Sequence, residues 1–534
     1  MASGLKSYIL LLAACLALYL PGIAVVPPLD RDESRFIQAT RQMLDTGDFI
    51  DIRFQDEPRH KKPIGIHWLQ AASVRLLSPG DHGAVWAYRV PSLLGAAAAV
   101  LLTAAIGALL FGPATGFLAG LLLAATVGLA TEALQAKTDA AQLAAVAAAQ
   151  LALARCWRGG GQPHAGWAVL FWGALGAGIL LKGPVAPLVL GLTILALGLA
   201  GRRWAWLGGL RPAWGPLLTL AMVAPWLIAV QLATDGAFLA AAVGADLGPK
   251  LVSGQESHGA PPGYFLALLP VTFWPSALLL APALWLAWRR RREEASLFCL
   301  AWLVPAWLVF EAVPTKLPHY VLPLFPALAL LSAAALSPVS AVLTARWARW
   351  PLLVWVPVPL ALAVASLALP QAAGAAFAAE LLAPVATALA AALAVPLLWW
   401  RGRPLRAVAL ALLLGGATIA GVFHLVLPRL EAAWVAPRLV ALLDRAAPDR
   451  RGLAVAGYHE PSLVFLAGTA TRLTSAEGAA AALAEPGMAA AVEARDRARF
   501  EAALAGAPAV LLGVVEGFNY SRGRRVALSV YVRR

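Results

Sequence analysis

Apolar residues run along this chain in long unbroken blocks, near 5–26, 84–111, 113–131, 139–156, 166–181, 184–200, 213–233, 263–288, 296–312, 318–337, 351–369, 380–400 and 405–427. Most are long enough to cross the roughly 30 Å hydrocarbon core of a bilayer as a helix. They are apolar all round, whereas a helix on a water-facing surface keeps a polar side. The pattern predicts a polytopic α-helical membrane protein with about 13 transmembrane helices. The first block follows Lys6 and runs into PPLDRDES with no small-residue cleavage site, so it is expected to be a retained first span rather than a removed signal peptide.

The connections fall into two chemically distinct sets. One carries Arg155 and Arg158, then Arg202, Arg203 and Arg211, WRRRREE at 288–294, RWAR at 346–349 and RGRPLR at 401–406. The other holds 29–83, TEALQAK, KGP, 234–262, EAVPTKLPHY and the region around Glu380. Lys and Arg concentrate in cytoplasmic loops, so the Arg-only set is expected inside, with the N-terminus cytoplasmic. The net charge of +14 is then a topology signal, and no nucleic-acid partner is expected. The charged fraction of 13%, against roughly 25% in soluble domains, agrees. Cys15, Cys156 and Cys299 lie in or beside apolar blocks at spacings that fit neither a disulfide framework nor a metal site.

After about residue 428 the pattern changes. LAVAG, AVLLGVV and VALSVYV are short apolar runs, separated by helix-like stretches such as AEGAAAALAE. That alternation predicts a small α/β domain over 429–534, following a membrane domain over 1–428. An odd number of spans places it outside, in the periplasm of a Gram-negative cell.

The acids, lysines, histidines and tyrosines gather in the outer set: PLDRDESRF, DEPRHKKPIGIHW, QAKTD, KGP, GPKLVSGQESHGAPPGY and PTKLPHY. A transporter is expected to carry ionisable groups near mid-bilayer, and these spans are mostly Ala, Leu and Val there. RFIQATRQMLDTGDF reads as an amphipathic helix lying in the interface. Asp32 and Glu33 suit the first turn of that helix, and an acid there can also take a proton from an acceptor hydroxyl. Asp139, opening the fourth span, carries the same two readings. Lys62, Lys182 and Lys316 each precede a proline by one or two positions, in KP, KGP and TKLP, at the outer end of a span. Singly they can snorkel to lipid headgroups; converging, they would bind a phosphate.

In this arrangement the chain resembles the bacterial GT-C glycosyltransferases that use polyprenyl-phosphate sugars, nearest the branch of the lipid A aminoarabinose transferase and more distantly the protein O-mannosyltransferases. The resemblance rests on D-E-x-R (Asp32, Glu33, Arg35), K-P at Lys62, T-D at Asp139, K-G-P at Lys182, K-L-P-x-Y (Lys316, Tyr320) and the outer C-terminal domain. It implies a GT-C fold in the bacterial inner membrane, and transfer of a sugar from a polyprenyl-phosphate donor to a periplasmic-side envelope acceptor, lipid A or lipopolysaccharide core. It implies that Asp32 is the acid nearest the reaction, with Glu33 beside it, and Asp139 a second cavity acid. Lys62 would hold the leaving phosphate with Lys61, Lys182, Lys316 and Tyr320, and His258 and Lys250 would come from a loop covering the site. The residue before the K-P lysine is an acid in the aminoarabinose branch and Lys61 here, so no metal or other cofactor is expected to be required. A protein O-glycosyltransferase and a lipid-linked sugar flippase remain as alternatives.

Overall fold

The computed structural model describes residues 2–160, 164–202, 204–248, 259–336 and 341–533. His258 and Lys250 lie outside them. Helix α1 (Ala2–Val25) is followed by α2 (Asp32–Thr46), a two-residue antiparallel ladder of β1 (Arg53–Phe54) with β2 (Glu57–Pro58), and α3 (Gly65–Leu77). Next come α4 (Val85–Leu110), α5 (Pro113–Ala124), α6 (Val127–Ala133), α7 (Asp139–Arg158), α8 (Ala165–Lys182), α9 (Val185–Gly201) and α10 (Gly215–Ala233). The chain is a multi-span helical membrane protein. Among the described residues, 10 helices are long and apolar enough to cross a membrane, or up to 12 if the bent pairs α5–α6 and Tyr264–Thr272 with Ser276–Arg289 each form one span. The 17-residue α9 is a shorter apolar helix, so the structure supports 10 to 12 spans among the described residues against the thirteen expected from the sequence.

Small residues let these helices approach closely. A Cβ added at Gly95 of α4 would lie 2.7 Å from Ala141 Cα of α7, a close approach that the Ala-rich sequence of α7 and the Gly and Ala of α4 allow. Arg158 bonds Leu109 O and lies 3.8 Å from Glu294. It thereby joins the ends of α4, α7 and the helix Glu294–Ala312, so connections with the Arg-only chemistry meet at one end of the bundle. The mixed connections meet at the other end.

Helix α2 differs from the expected interfacial helix. Glu33, Ser34, Phe36, Ile37, Gln38, Ala39, Thr40 and Met43 are all buried, because α3 packs on one side and the helix Pro461–Ala467 on the other. Thr40 meets His67 Nδ1 at 2.8 Å and Gln70 Oε1 at 2.7 Å. Burial lowers the His67 imidazolium to about 3, with Arg59 adding repulsion, so this ring is a neutral packing element. The apolar exposed face belongs to α3, through Trp68, Leu69, Leu76 and Leu77. Gly47 ends α2 at φ 77°, its N–H bonded to Met43 O, the left-handed cap that glycine adopts without strain.

The C-terminal sheet has the order β4-β3-β5-β7-β6, with β3 (Gly452–Ala456), β4 (Arg472–Thr474), β5 (Met488–Glu493), β6 (Ala509–Asn519) and β7 (Arg524–Arg533). β3 pairs in parallel with β4 and β5, while β7 runs antiparallel to β5 and β6. Alternate side chains supply two cores. Leu453, Val455, Ala489 and Ala491 pack with the helix Val435–Ala446. Ala454, Ala456, Ala490 and Val492 pack with Ala476–Leu483. Period-two burial on both faces is what a sheet covered by helices on each side requires.

Candidate active site

Two clusters build the polar end of the bundle. The first is buried between α6, α7, α8 and the turn Pro318–Leu324. Asp139 opens α7, Lys182 closes α8, and their side chains form an ion pair. Lys137 lies 3.0 Å from Glu132. His319 stands 3.7 Å from Glu132 and 3.8 Å from Asp139, bridging the two carboxylates, and Lys182 Nζ sits 5.1 Å over the Tyr320 ring. Burial by itself would lower the Lys137 ammonium, but Glu132, Asp139 and Asp32 outweigh it and hold it well above the ordinary lysine value. The α8–α9 turn is made by Gly183 at φ 61°, a left-handed backbone that a residue with a Cβ would strain.

The second cluster aims Asp32. Asp32 is exposed and is the first residue of α2. Arg31 before it takes φ 67°, uncommon for a residue with a side chain, and its guanidinium bonds Ser521 O in the C-terminal domain. Asp30 N–H donates to Tyr520 Oη at 2.6 Å, and Ser462 N–H donates to Asp30 Oδ1 at 3.1 Å. The C-terminal domain thus fixes the two residues that precede the acid.

Glu33, predicted alongside Asp32 as a reacting acid, is instead enclosed. Arg89 holds both of its oxygens, at 2.8 and 2.9 Å, and the N–H groups of Ala136 and Leu29 donate to them at 2.8 and 2.9 Å. A carboxylate so occupied holds the site together and meets no substrate. Lys316 is buried, its ammonium bonded to Ala260 O at 2.8 Å and Val313 O at 2.6 Å, so it clamps two backbone segments rather than facing the cavity. Arg35 is half-buried on α2, and its charge acts on Asp30.

A cavity of about 510 Å³ opens beside the first cluster. Lys61, Lys62, Lys182 and Tyr320 are among its polar lining residues, and Leu188, Val223, Leu227, Val309 and Phe310 are among its apolar ones. Nearby, β1 and β2 carry the charged knot of the sequence. His60 meets Asp51 at 2.8 Å, and Arg59 stacks 5.2 Å over the Phe36 ring, so much of DEPRHKK is locked into the fold. Glu132, Lys137 and His319 were not among the sequence candidates. Their signals were the unusual acid and base of TEALQAK and the imidazole beside Tyr320. Among the described residues no group of three or more His, Cys, Asp or Glu is placed to hold a metal ion.

Asp30 has its own consequence. Burial raises its carboxyl from 3.8 to about 6, with Ser462 opposing and Glu460 reinforcing the rise. A carboxyl whose pKa is higher folded than unfolded takes up its proton first in the folded state. Its contribution therefore favours folding at low pH, declines as pH climbs from about 4 through about 6, and is lost above. Asp30→Asn keeps an oxygen for Ser462 and removes the charge. Its thermal midpoint in detergent should exceed wild type at pH 8 and converge with it near pH 4. Parallel melting curves at the two pH values would sink the assignment.

Comparison with known proteins follows the same lines. Residues 61–228 match the family model described as dolichyl-phosphate-mannose-protein mannosyltransferase. The chain is 30% identical over 315 residues to an undecaprenyl phosphate-alpha-4-amino-4-deoxy-L-arabinose arabinosyl transferase 2 of Pseudomonas fluorescens, covering 57% of this chain and 55% of the relative. It is 30% identical over 311 residues to the corresponding Pseudomonas aeruginosa transferase, with the same coverage. The matched region thus spans about half the length of these relatives. In structure, ArnT from Cupriavidus metallidurans bound to undecaprenyl phosphate superimposes with a TM-score of 0.76 at 20% identity, over 98% of this chain and 97% of that one. The Archaeoglobus fulgidus oligosaccharyltransferase gives 0.52 at 12% identity, over 88% of this chain and 63% of that one. The chain has the GT-C fold of ArnT, and over about half of its length it is similar in sequence to undecaprenyl phosphate-aminoarabinose transferases.

Proposed function

We propose that this protein is an inner-membrane glycosyltransferase that moves a sugar from a polyprenyl-phosphate donor to lipid A or lipopolysaccharide core on the periplasmic side. The observation that carries the reading is a cavity lined by lysines and a tyrosine together with many apolar side chains. A lipid phosphate is an amphiphile that suits both kinds of lining. Its charge meets Lys61, Lys62 and Lys182, and its isoprenoid chain lies against Leu188, Val223 and Phe310. The named relatives act on an undecaprenyl-phosphate sugar, which supports the same donor class.

In the reaction, an acceptor oxygen attacks the anomeric carbon and the carbon–oxygen bond to phosphate breaks. The electron pair leaves with the polyprenyl phosphate. Ammonium groups already fixed where that charge develops lower the barrier. Asp32 takes the proton of an acceptor hydroxyl, and the Glu132–Lys137–Asp139–Lys182–His319 cluster fixes the cations that face the donor. In this reading the cations of the site, including Lys61, are there for phosphate, and no metal is required. Residues 1–428 form the catalytic domain and 429–534 the periplasmic domain, with the N-terminus cytoplasmic.

Lys62→Ala should lower kcat/KM for the donor by roughly ten- to a hundredfold, the effect of losing one charge-assisted hydrogen bond. Steady-state kinetics at varied donor, with the acceptor KM unchanged, checks it. The activity itself is tested by mass spectrometry of lipid A and lipopolysaccharide from cells with and without the gene. Loss of one sugar residue, restored by the wild type, supports it. The matched mannosyltransferase model favours a second reading, a protein hydroxyl as acceptor, for which the sugar would be missing from glycoproteins instead. No change in lipids or proteins would move the assignment to a flippase.

A further inference from the structure

We propose that the C-terminal domain has its own ligand site, a pocket for the phosphorylated sugar headgroup of the acceptor lipid; this rests on the transferase reading above. The chain leaves β3, turns to one side to form β4, then crosses to the other side of β3 to form β5. Connections that diverge in this way open a crevice at the carboxyl ends of the strands, where open α/β sheets bind ligands. A cavity of about 440 Å³ lies there, lined by His459, Glu460, Arg495, Asn519, Arg522 and Arg524 among others.

Its lining is built rather than incidental. Glu493, 3% exposed, stands behind the cavity. It takes Arg524 on both oxygens and lies 3.2 Å from Arg495. Arg495 also donates to Gly457 O at 3.0 Å. Glu460 and Asn519 are buried and bonded at 2.8 Å. Arg522 lies 3.8 Å from Glu460 with its side chain 68% exposed, so its fork is accessible to a ligand. Guanidinium forks match phosphate oxygens, while a carboxylate, an imidazole and an amide suit sugar hydroxyls. The polar lining offers nothing to an isoprenoid chain, which separates this pocket from the donor cavity.

Its place in the fold ties it to the reaction. Asn519 leads into Tyr520 and Ser521, and Glu460 lies two residues before Ser462. Those three residues are the ones that bond Asp30 and Arg31. One wall of the pocket is therefore continuous with the contact that aims Asp32, and a headgroup held there binds at the end of the domain that touches α2.

The test uses the full chain in nanodiscs, with a diphosphorylated lipid A disaccharide and the same lipid after phosphate removal. Arg522→Glu should raise the KM for the phosphorylated acceptor at least tenfold, with donor KM and kcat at saturating acceptor unchanged. Arg522→Lys should recover part of the loss, and the dephosphorylated lipid should not distinguish variant from wild type. An unchanged acceptor KM overturns the proposal. Binding of the fluorescently labelled phosphorylated lipid, measured without turnover, separates the two readings. If the wild type transfers no sugar, the transferase reading falls. Weaker lipid binding by Arg522→Glu would then still support the pocket, and equal binding would overturn it. Soluble glucosamine 1-phosphate binding the wild type as tightly as the lipid would assign the pocket to a free sugar phosphate and overturn the acceptor role.

Discussion

Asp32→Asn should lower sugar transfer by about 10²–10⁴-fold, the range supplied by a positioned general base, while the affinity for undecaprenyl phosphate stays within a factor of about two of wild type, because a remote acid contributes little to a phosphate held by lysines. Asp32 is the candidate acid that is exposed rather than enclosed. Its backbone is set by Arg31 at φ 67° and by the contacts of Asp30 and Arg31 with Ser462, Tyr520 and Ser521. Its charge acts on Lys137 and His319, so it belongs electrostatically to the buried cluster while remaining open to an acceptor. Asp139, by contrast, is bound to Lys182 and has the role of fixing that cation. Asp32→Glu should retain more activity than Asp32→Asn, since it keeps a base in nearly the same place. Single-turnover transfer and separate donor binding check both. A loss below about tenfold would mean that the attacking oxygen arrives already ionised, as a lipid phosphate does, and would remove the base role from Asp32.

The sequence shows some parts of this structure and hides others for physical reasons. The membrane helices are legible because burial in lipid leaves unbroken apolar blocks, and the two-sided sorting of Arg is legible because charge is expensive to move across a bilayer. Asp139 and Lys182 are visible as helix-end residues. Their pairing is not, because 43 residues and a full hairpin of spans separate them. Glu132 and His319 come together only when α6 and the turn at Pro318–Leu324 pack side by side. Helix α2 reads as a surface helix because its buried face includes Ser34, Gln38 and Thr40, polar residues that meet protein rather than water: Ser34 donates to Leu29 O, Gln38 donates to Thr469 of the C-terminal domain, and Thr40 bonds His67 and Gln70 of α3. Strand β5, MAAAVE, reads as helix by propensity, yet all six residues are buried in the sheet, where small side chains let helices pack on both faces. Lys316 sits in a motif that resembles a phosphate ligand, and its position on the chain carries no sign that two carbonyls already hold it.

Glu33→Gln or Arg89→Lys should destabilise the folded protein by about 3–5 kcal/mol, the cost of leaving one member of a buried pair without its partner. Arg89 uses every donor it has. Nε and Nη2 hold Glu33, the other Nη2 hydrogen reaches Pro27 O at 3.0 Å, and Nη1 reaches Ile23 O and Val26 O at 2.9 and 2.6 Å. Neither side chain of the pair is exposed. One guanidinium thus gathers the end of α1, the first turn of α2 and α4, and Glu33 adds the backbone of Ala136, next to Lys137. A lysine cannot reproduce a planar five-donor fork, and a glutamine brings an N–H to a place where both neighbours donate. The losses should show as earlier thermal unfolding in detergent and lower yield in membranes. The residual folded fraction should bind undecaprenyl phosphate but transfer sugar poorly, because Asp32 and Lys137 are placed by the same pair. The double variant Glu33→Leu with Arg89→Met removes both charges and should be less destabilised than the sum of the two single changes, by at least about 1 kcal/mol. If the double variant were as unstable as the sum of the singles, the pair would not be acting as a unit, and the placement of Asp32 would have to come from the C-terminal domain alone.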